Sequence, residues 1–195
     1  MNIRIRATST LPTRFGNFCL QVFTDSDETE YLALSVGTPA DDCLVRIHSE
    51  CATGDIFGSL RCDCRDQLEL GLEKISEAGQ GLFIYLRGHE GRGIGLVNKI
   101  KAYALQDQGQ DTVEANVTLG FEPDQRHYGA AIAILRHYGL KRVQLLTNNR
   151  LKIEALKQAG ILVSRKIALW AATNPHNEHY VSTKQTKMGH MTEGE

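Results

Sequence analysis

Residues 81–86, Gly-Leu-Phe-Ile-Tyr-Leu, form an unbroken apolar run, followed by a glycine-rich loop and then a helical pattern. A strand with no polar side is buried on both faces, so it needs cover above and below. The strand–loop–helix order recurs from residue 81 onward. A helix is expected over 130–138 ending at Gly139, then a strand over 143–146. A helix over 151–159 follows, capped by Asn148 or Asn149 and stopped by Gly160. Closing strands are expected at 161–163 and 167–170.

The first third is richer in strands. Ile3 and Ile5 alternate with Arg4 and Arg6 as in a half-buried strand. Runs at 18–23 and 31–36 flank the acidic stretch 25–30 and predict a hairpin. Another strand is read at 43–48. A helix over 65–78 carries Leu68, Leu72 and Ile75 on one face and stops at Gly79. After the glycine loop, Val97, Ile100, Ala104 and Leu105 mark the expected inner face of a further helix. The fold class is therefore α/β: one domain over 1–195, a mixed β-sheet flanked by helices, and a frayed tail at 189–195.

The apolar fraction of 42% suits a globular chain. Twenty-two basic residues against 23 acidic ones give a net charge of −1, which argues against a nucleic-acid binder. No apolar run reaches the ~18 residues of a membrane span, and residues 1–13 lack the apolar core of a secretory signal. A cytoplasmic, reducing location is expected. There, clustered cysteines read as metal ligands or nucleophiles before disulfides.

Three of the five cysteines are spaced C-x10-C-x-C: Cys51, Cys62 and Cys64. Three thiolates can hold zinc and leave a fourth position open, as in catalytic sites. His48 is a candidate to close it. Arg61, Asp63, Arg65 and Asp66 make the surroundings polar, unlike a core packed with small thiols. Cys19 and Cys43 lie in apolar strand-like runs and read as packing. His127, His137, His176, His179 and His190 show no metal spacing.

The loop G-H-E-G-R-G-I-G, residues 88–95, sits between a strand and a helix, where backbone N–H groups can cradle phosphate. It lacks the Gly-Lys-Ser/Thr of a P-loop, and Leu96 stands where a dinucleotide fingerprint needs its third glycine. It is either an anion site served by Arg92 or a tight turn with a surface arginine. Glu50, just before Cys51, is a candidate general acid/base or a partner for a ligand N–H. Asp124 and Arg126 follow Pro123 at an expected helix start, where an acid suits the helix dipole. Thr147, Asn148 and Asn149 either cap a helix or hold a phosphate beside Lys152.

Taken together, R-I-H-S-E-C-A-T-G-D, S-L-R-C-D-C, R-G-H-E-G-R-G-I-G-L, D-T-V-E-A-N and L-L-T-N-N resemble GTP cyclohydrolase II. These enzymes open the guanine imidazole ring at the start of riboflavin synthesis. The likeness runs from Leu11 to His190, and the synthase domain fused in some relatives is not expected here. It implies zinc on Cys51, Cys62 and Cys64, with magnesium accompanying the triphosphate. GTP contacts are implied from Arg46, Ile47, His48, Ser49 and Glu50, then from Gln67, Glu90, Gly91, Arg92, Thr112, Thr147 and Lys152. Asp124 matches a proton acceptor, Arg126 a nucleophile on the α-phosphate, and Tyr103 a tyrosine of the ring-opening stage. Implied products are formate, pyrophosphate and a diaminopyrimidinone ribosyl phosphate, and the implied assembly is a homodimer.

Arg150-Leu151 and Gln110 depart from the family pattern without touching a matched chemical group. Guanidinium pKa exceeds ~12, so Arg126 acts either as a nucleophile whose proton passes to Asp124 or as a transition-state stabiliser. The competing readings are a paralogue stopping at the formamidopyrimidine or at GMP, and a non-catalytic zinc module.

Overall fold

A computed structural model describes residues 1–122 and 124–187; the expected frayed tail, 189–195, lies outside the described residues. The strand-rich first third forms β1 (Arg4–Thr13), β2 (Gly16–Thr24), β3 (Glu30–Val36) and β4 (Leu44–Ser49). Next come α1 (Cys64–Glu77), β5 (Gly81–Leu86), α2 (Gly95–Gln106) and α3 (Thr112–Thr118). The chain continues through α4 (Gly129–His137), β6 (Arg142–Leu146), α5 (Arg150–Gln158), β7 (Leu162–Ile167) and α6 (Glu178–Lys187).

The seven strands form one mixed sheet in the order β1-β2-β3-β5-β4-β6-β7. The first three strands and β5 pair antiparallel, while β5, β4, β6 and β7 run parallel. The expected α/β class with a mixed sheet holds. β5 lies in mid-sheet, and alternation splits its apolar run between two cores. Leu82, Ile84 and Leu86 join Val45, Ile47, Ile134 and Leu135 beneath α4, while Phe83 joins Leu72 and Ile75 beneath α1. Each fully buried side chain of this size contributes roughly 1.5–3 kcal/mol.

The structure corrects the sequence reading in four places. β1 is almost wholly exposed, including Ile5: it is the edge strand of the sheet, paired with β2 alone, and carries a register break between Ile5 and Ala7; Ile3, just before it, packs on the core. The two expected closing strands are one, β7, with a register shift opposite Val143 and Gln144. No helix begins at Asp124; residues 124–128 are irregular and α4 starts at Gly129.

The fourth correction concerns α2. Val97 is 70% and Ile100 49% exposed, whereas Lys99 and Ala102 face inward. The ammonium of Lys99 finds charged partners inside, so a polar residue takes the place the apolar stripe was expected to fill. The cap of α5 is Asn149, which accepts from the backbone of Leu151.

Candidate active site

Loops leaving the C-terminal ends of parallel strands β4, β5 and β6 meet at one pocket, the usual place for ligands in such sheets. The β4 loop carries Cys51, the β5 loop carries His89 to Arg92, and the β6 loop carries Thr147 to Asn149.

Cys51 precedes a single π-helical turn over Ala52–Ile56, and Cys64 opens α1. The three sulfurs of Cys51, Cys62 and Cys64 lie within 4.8 Å of one another, with Cys51 and Cys62 3.8 Å apart. Sulfurs at about 2.3 Å from a tetrahedral zinc would be about 3.8 Å apart. The space between them exists because residue 54 is glycine. A Cβ there would stand 2.9 Å from the Cys62 sulfur and 3.1 Å from that of Cys51. The trio therefore fits a metal ion.

His48 does not join the trio. Its ring stacks with Phe83 and Tyr85, and its Nε2 faces both carboxylate oxygens of Asp55 at 3.2 Å. The same carboxylate accepts from the Cys51 backbone N–H (3.0 Å) and the Tyr85 hydroxyl (2.8 Å). Burial pushes the His48 pKa down, so the ring is neutral, with its proton on Nε2 toward the acid. Nδ1 is then a bare acceptor, buried and without a partner among the described residues.

Arg46 projects from the same face of β4. Its Nη1 donates to the Leu146 carbonyl and its Nη2 to Gln67, while Nε is buried and unpartnered. Gln67 in turn donates to Asp63, between two of the cysteines. Burial lowers the Arg46 pKa to about 10, against the opposing pull of Asp63, and the group stays charged. Gly71 lets α1 lie close over this chain; a Cβ there would reach Phe83 at 3.0 Å and Arg46 at 3.1 Å.

The glycine loop is not a turn with a surface arginine. Arg92 is buried, has φ +66, and donates Nη2 to the Thr112 hydroxyl at 3.0 Å. Its carbonyl accepts from Gln125, which brings Asp124 and Arg126 to the site. Arg126 lines the pocket and Asp124 braces it from behind. Burial alone would raise the Asp124 pKa, but the Arg126 guanidinium overcomes this and holds it low. Lys152 reaches from α5 to donate to the Ile47 carbonyl at 2.7 Å.

Most of the expected site residues line this pocket: Arg46, His48, Ser49, Glu50, Gln67, Glu90, Gly91, Arg92, Tyr103, Thr112, Arg126, Thr147 and Lys152, besides the cysteines. Ile47 does not; its side chain points into the core on the opposite face of the sheet. Glu90 is engaged within the protein, with one oxygen on Lys99 (2.6 Å) and the other on the Ala52 N–H (2.6 Å). Glu50 accepts from the Gly88 N–H at 2.8 Å. Tyr103 shares a hydrogen bond with Thr53 at 3.1 Å.

Sequence reasoning passed over Lys99, His89, Asn116 and Tyr180, which also line the pocket, and Asp55 behind it. One signal was available for Lys99. It lies four residues before Tyr103 and so shares its helix face.

An α/β sheet whose parallel strands end on three clustered thiols and a pocket walled by buried Arg92 and Lys152 and by half-buried Arg126 defines a candidate metal-dependent enzyme acting on an anionic substrate. Residues 4–168 match the family profile described as GTP cyclohydrolase II. The chain is 52% identical over 195 residues to GTP cyclohydrolase-2 of Acinetobacter baumannii (strain SDF), covering 98% of this chain and 97% of that one. It is 50% identical over 194 residues to GTP cyclohydrolase-2 of Shewanella sediminis (strain HAW-EB3), covering 98% and 94%. It is also 47% identical over 192 residues to the riboflavin biosynthesis protein RibBA of Salinispora tropica, covering 97% of this chain and 48% of that longer one. The chain belongs to the GTP cyclohydrolase II family.

Proposed function

We propose that this chain hydrolyses GTP with opening of the guanine imidazole ring, releasing formate and pyrophosphate, as a zinc-dependent enzyme of riboflavin biosynthesis. Residues 1–195 act as one functional unit. The observation that carries the reading is the placing of three thiols within 4.8 Å of one another in a pocket that also presents the cations Arg92, Arg126 and Lys152.

Cys51, Cys62 and Cys64 are the residues that would hold the zinc ion, which supplies Lewis-acid activation of water near neutral pH. Arg46 and His48 are assigned to the base. Both side chains line the pocket from neighbouring positions of one strand face.

Arg92, Arg126 and Lys152 are assigned to the phosphates, with magnesium alongside, since phosphoryl transfer depends mainly on positioning and charge neutralisation. Asp124 holds Arg126 in place. Thr112 and Thr147 complete the nucleotide contacts, and Ser49 and Gln67 orient His89 and Arg46. Glu50 is the acid/base candidate beside the cysteines, and the Tyr103 hydroxyl serves ring opening after the first hydrolysis.

Among the described residues, no helix is long and apolar enough to cross a membrane. A cytoplasmic homodimer is proposed, and the exposed apolar side of α2 supports the second half of that proposal.

Incubating zinc-loaded protein with GTP and magnesium should release one formate and one pyrophosphate per GTP consumed. Cys62→Ser should abolish formate release. Metallated wild-type protein that releases pyrophosphate without formate would move the assignment to the paralogue that stops early.

A further inference from the structure

Lys99 is the one lysine of α2 turned inward, and it is only 8% exposed. Lysines are almost never buried this far unless paired. Its ammonium group has two neighbours of different kinds: a Glu90 carboxylate oxygen at 2.6 Å and the Cys51 sulfur at 3.0 Å. The other oxygen of Glu90 accepts from Ala52, the residue after Cys51, so one carboxylate fixes both the lysine and the cysteine loop. The Tyr103 ring lies 5.6 Å from the same ammonium.

Anchoring Glu90 would not require the ammonium to touch sulfur. The contact has a charge logic instead. Three thiolates around a divalent ion leave one excess negative charge, and their electron donation weakens the ion as a Lewis acid. A buried cation donating to one sulfur withdraws density from that thiolate locally, where solvent screening is weak, while Glu90 holds the ammonium in place.

We propose that Lys99 sets the charge of the cysteine centre: held on the Cys51 sulfur, it draws electron density from the thiolate and keeps a bound metal electrophilic. It is a positioning and charge-setting residue, acting through Cys51. The proposal rests on the metal reading above and goes beyond it by assigning this lysine to the metal.

Cobalt(II) substituted for zinc gives the test, because its sulfur-to-metal charge-transfer absorption reports electron density on the thiolates. Wild-type protein should bind one cobalt per chain and show this band. Lys99→Met should shift the band to longer wavelength at equal cobalt loading, whereas Lys99→Arg, which keeps a cationic donor, should leave it near the wild-type position. If Lys99→Met unfolds because Glu90 is left unpaired, the double variant Lys99→Met/Glu90→Gln carries the same expectation. A Lys99→Met or double-variant band that superimposes on wild type overturns the proposal and leaves the metal reading intact. Wild-type protein that takes up no cobalt overturns both.

Discussion

Arg126 and Asp124, two residues apart in an irregular segment, meet edge to edge: Nε donates to Oδ1 at 2.8 Å and Nη2 to Oδ2 at 2.5 Å. The backbone N–H of Arg126 also donates to Oδ1. Burial alone would lower the Arg126 pKa, but the hydrogen bonds and charge of Asp124 hold it above its ordinary value. A guanidinium locked in this way is a fixed positive charge, which favours the stabiliser over the nucleophile for Arg126. Arg126→Ala should lower kcat about 100- to 1000-fold, the usual cost of losing one preorganised charge donor. Acid-quenched wild-type protein should carry no covalent nucleotide by mass spectrometry. An adduct mapped to Arg126 would restore the nucleophile.

Gly54 sits against all three cysteines, and nothing in its sequence neighbourhood except the adjacent motif draws attention to it. Gly54→Ala should push the sulfurs apart, costing about 1–3 kcal/mol as overpacking does. The expected protein is folded by circular dichroism and depleted of zinc after gel filtration. Zinc content near that of wild type would mean that the sulfurs can spread without losing the ion.

His89 donates from Nε2 to the His127 carbonyl and accepts at Nδ1 from Ser49, so its neutral form is the bonded one. Burial, with Arg126 and Lys152 nearby, lowers its pKa to about 4. The unfolded chain takes up this proton near pH 6.5, and the folded chain takes it up only near pH 4. Stability contributed by neutral His89 is therefore complete above about pH 6.5 and lost as the pH falls toward 4, by up to about 3 kcal/mol. Urea unfolding between pH 4.5 and 7 should show this slope, and His89→Gln should flatten part of it. The buried His48 contributes in the same direction and should keep the rest. An unchanged slope in His89→Gln would remove His89 from the account.

Leu96, Val97 and Ile100 form an apolar side of α2 that touches solvent in the single chain. Contiguous exposed apolar patches can mark association surfaces, and this one is the face assigned to the proposed homodimer. Ile100→Glu should shift the sedimentation coefficient from dimer to monomer while changing chain stability by no more than about 0.5 kcal/mol, as surface changes do. A dimer that persists would place the contact elsewhere.

Where the sequence was legible, a short-range signal and the tertiary outcome agreed. The apolar run of β5, the 2–3 hairpin, the Leu68, Leu72 and Ile75 stripe of α1 and the glycine stops at Gly79, Gly139 and Gly160 all state their structure locally. The cysteine spacing announced the clustering of the three thiols for the same reason. What failed depended on partners far along the chain. The face of α2 was misread because periodicity counts Lys99 as polar and outward, while Glu90 and Cys51 draw it in. Asp55 passed unnoticed because its three donors, from Cys51, His48 and Tyr85, come together only after β4 and β5 pair. Even α3, whose Asp111 and Glu114 form a capping box, is too short for its pattern to stand out, and α6 has no marked apolar stripe.

The sheet changes direction between β3 and β5, and three of the loops that wall the pocket leave strands of the parallel half. Durability and chemistry are thus assigned to different parts of one framework. The loops after β4 and β5 are bonded to each other through Glu50–Gly88 and Ala52–Glu90, so those two must change together, while the loop after β6 takes no part in either bond and can vary without a change of architecture.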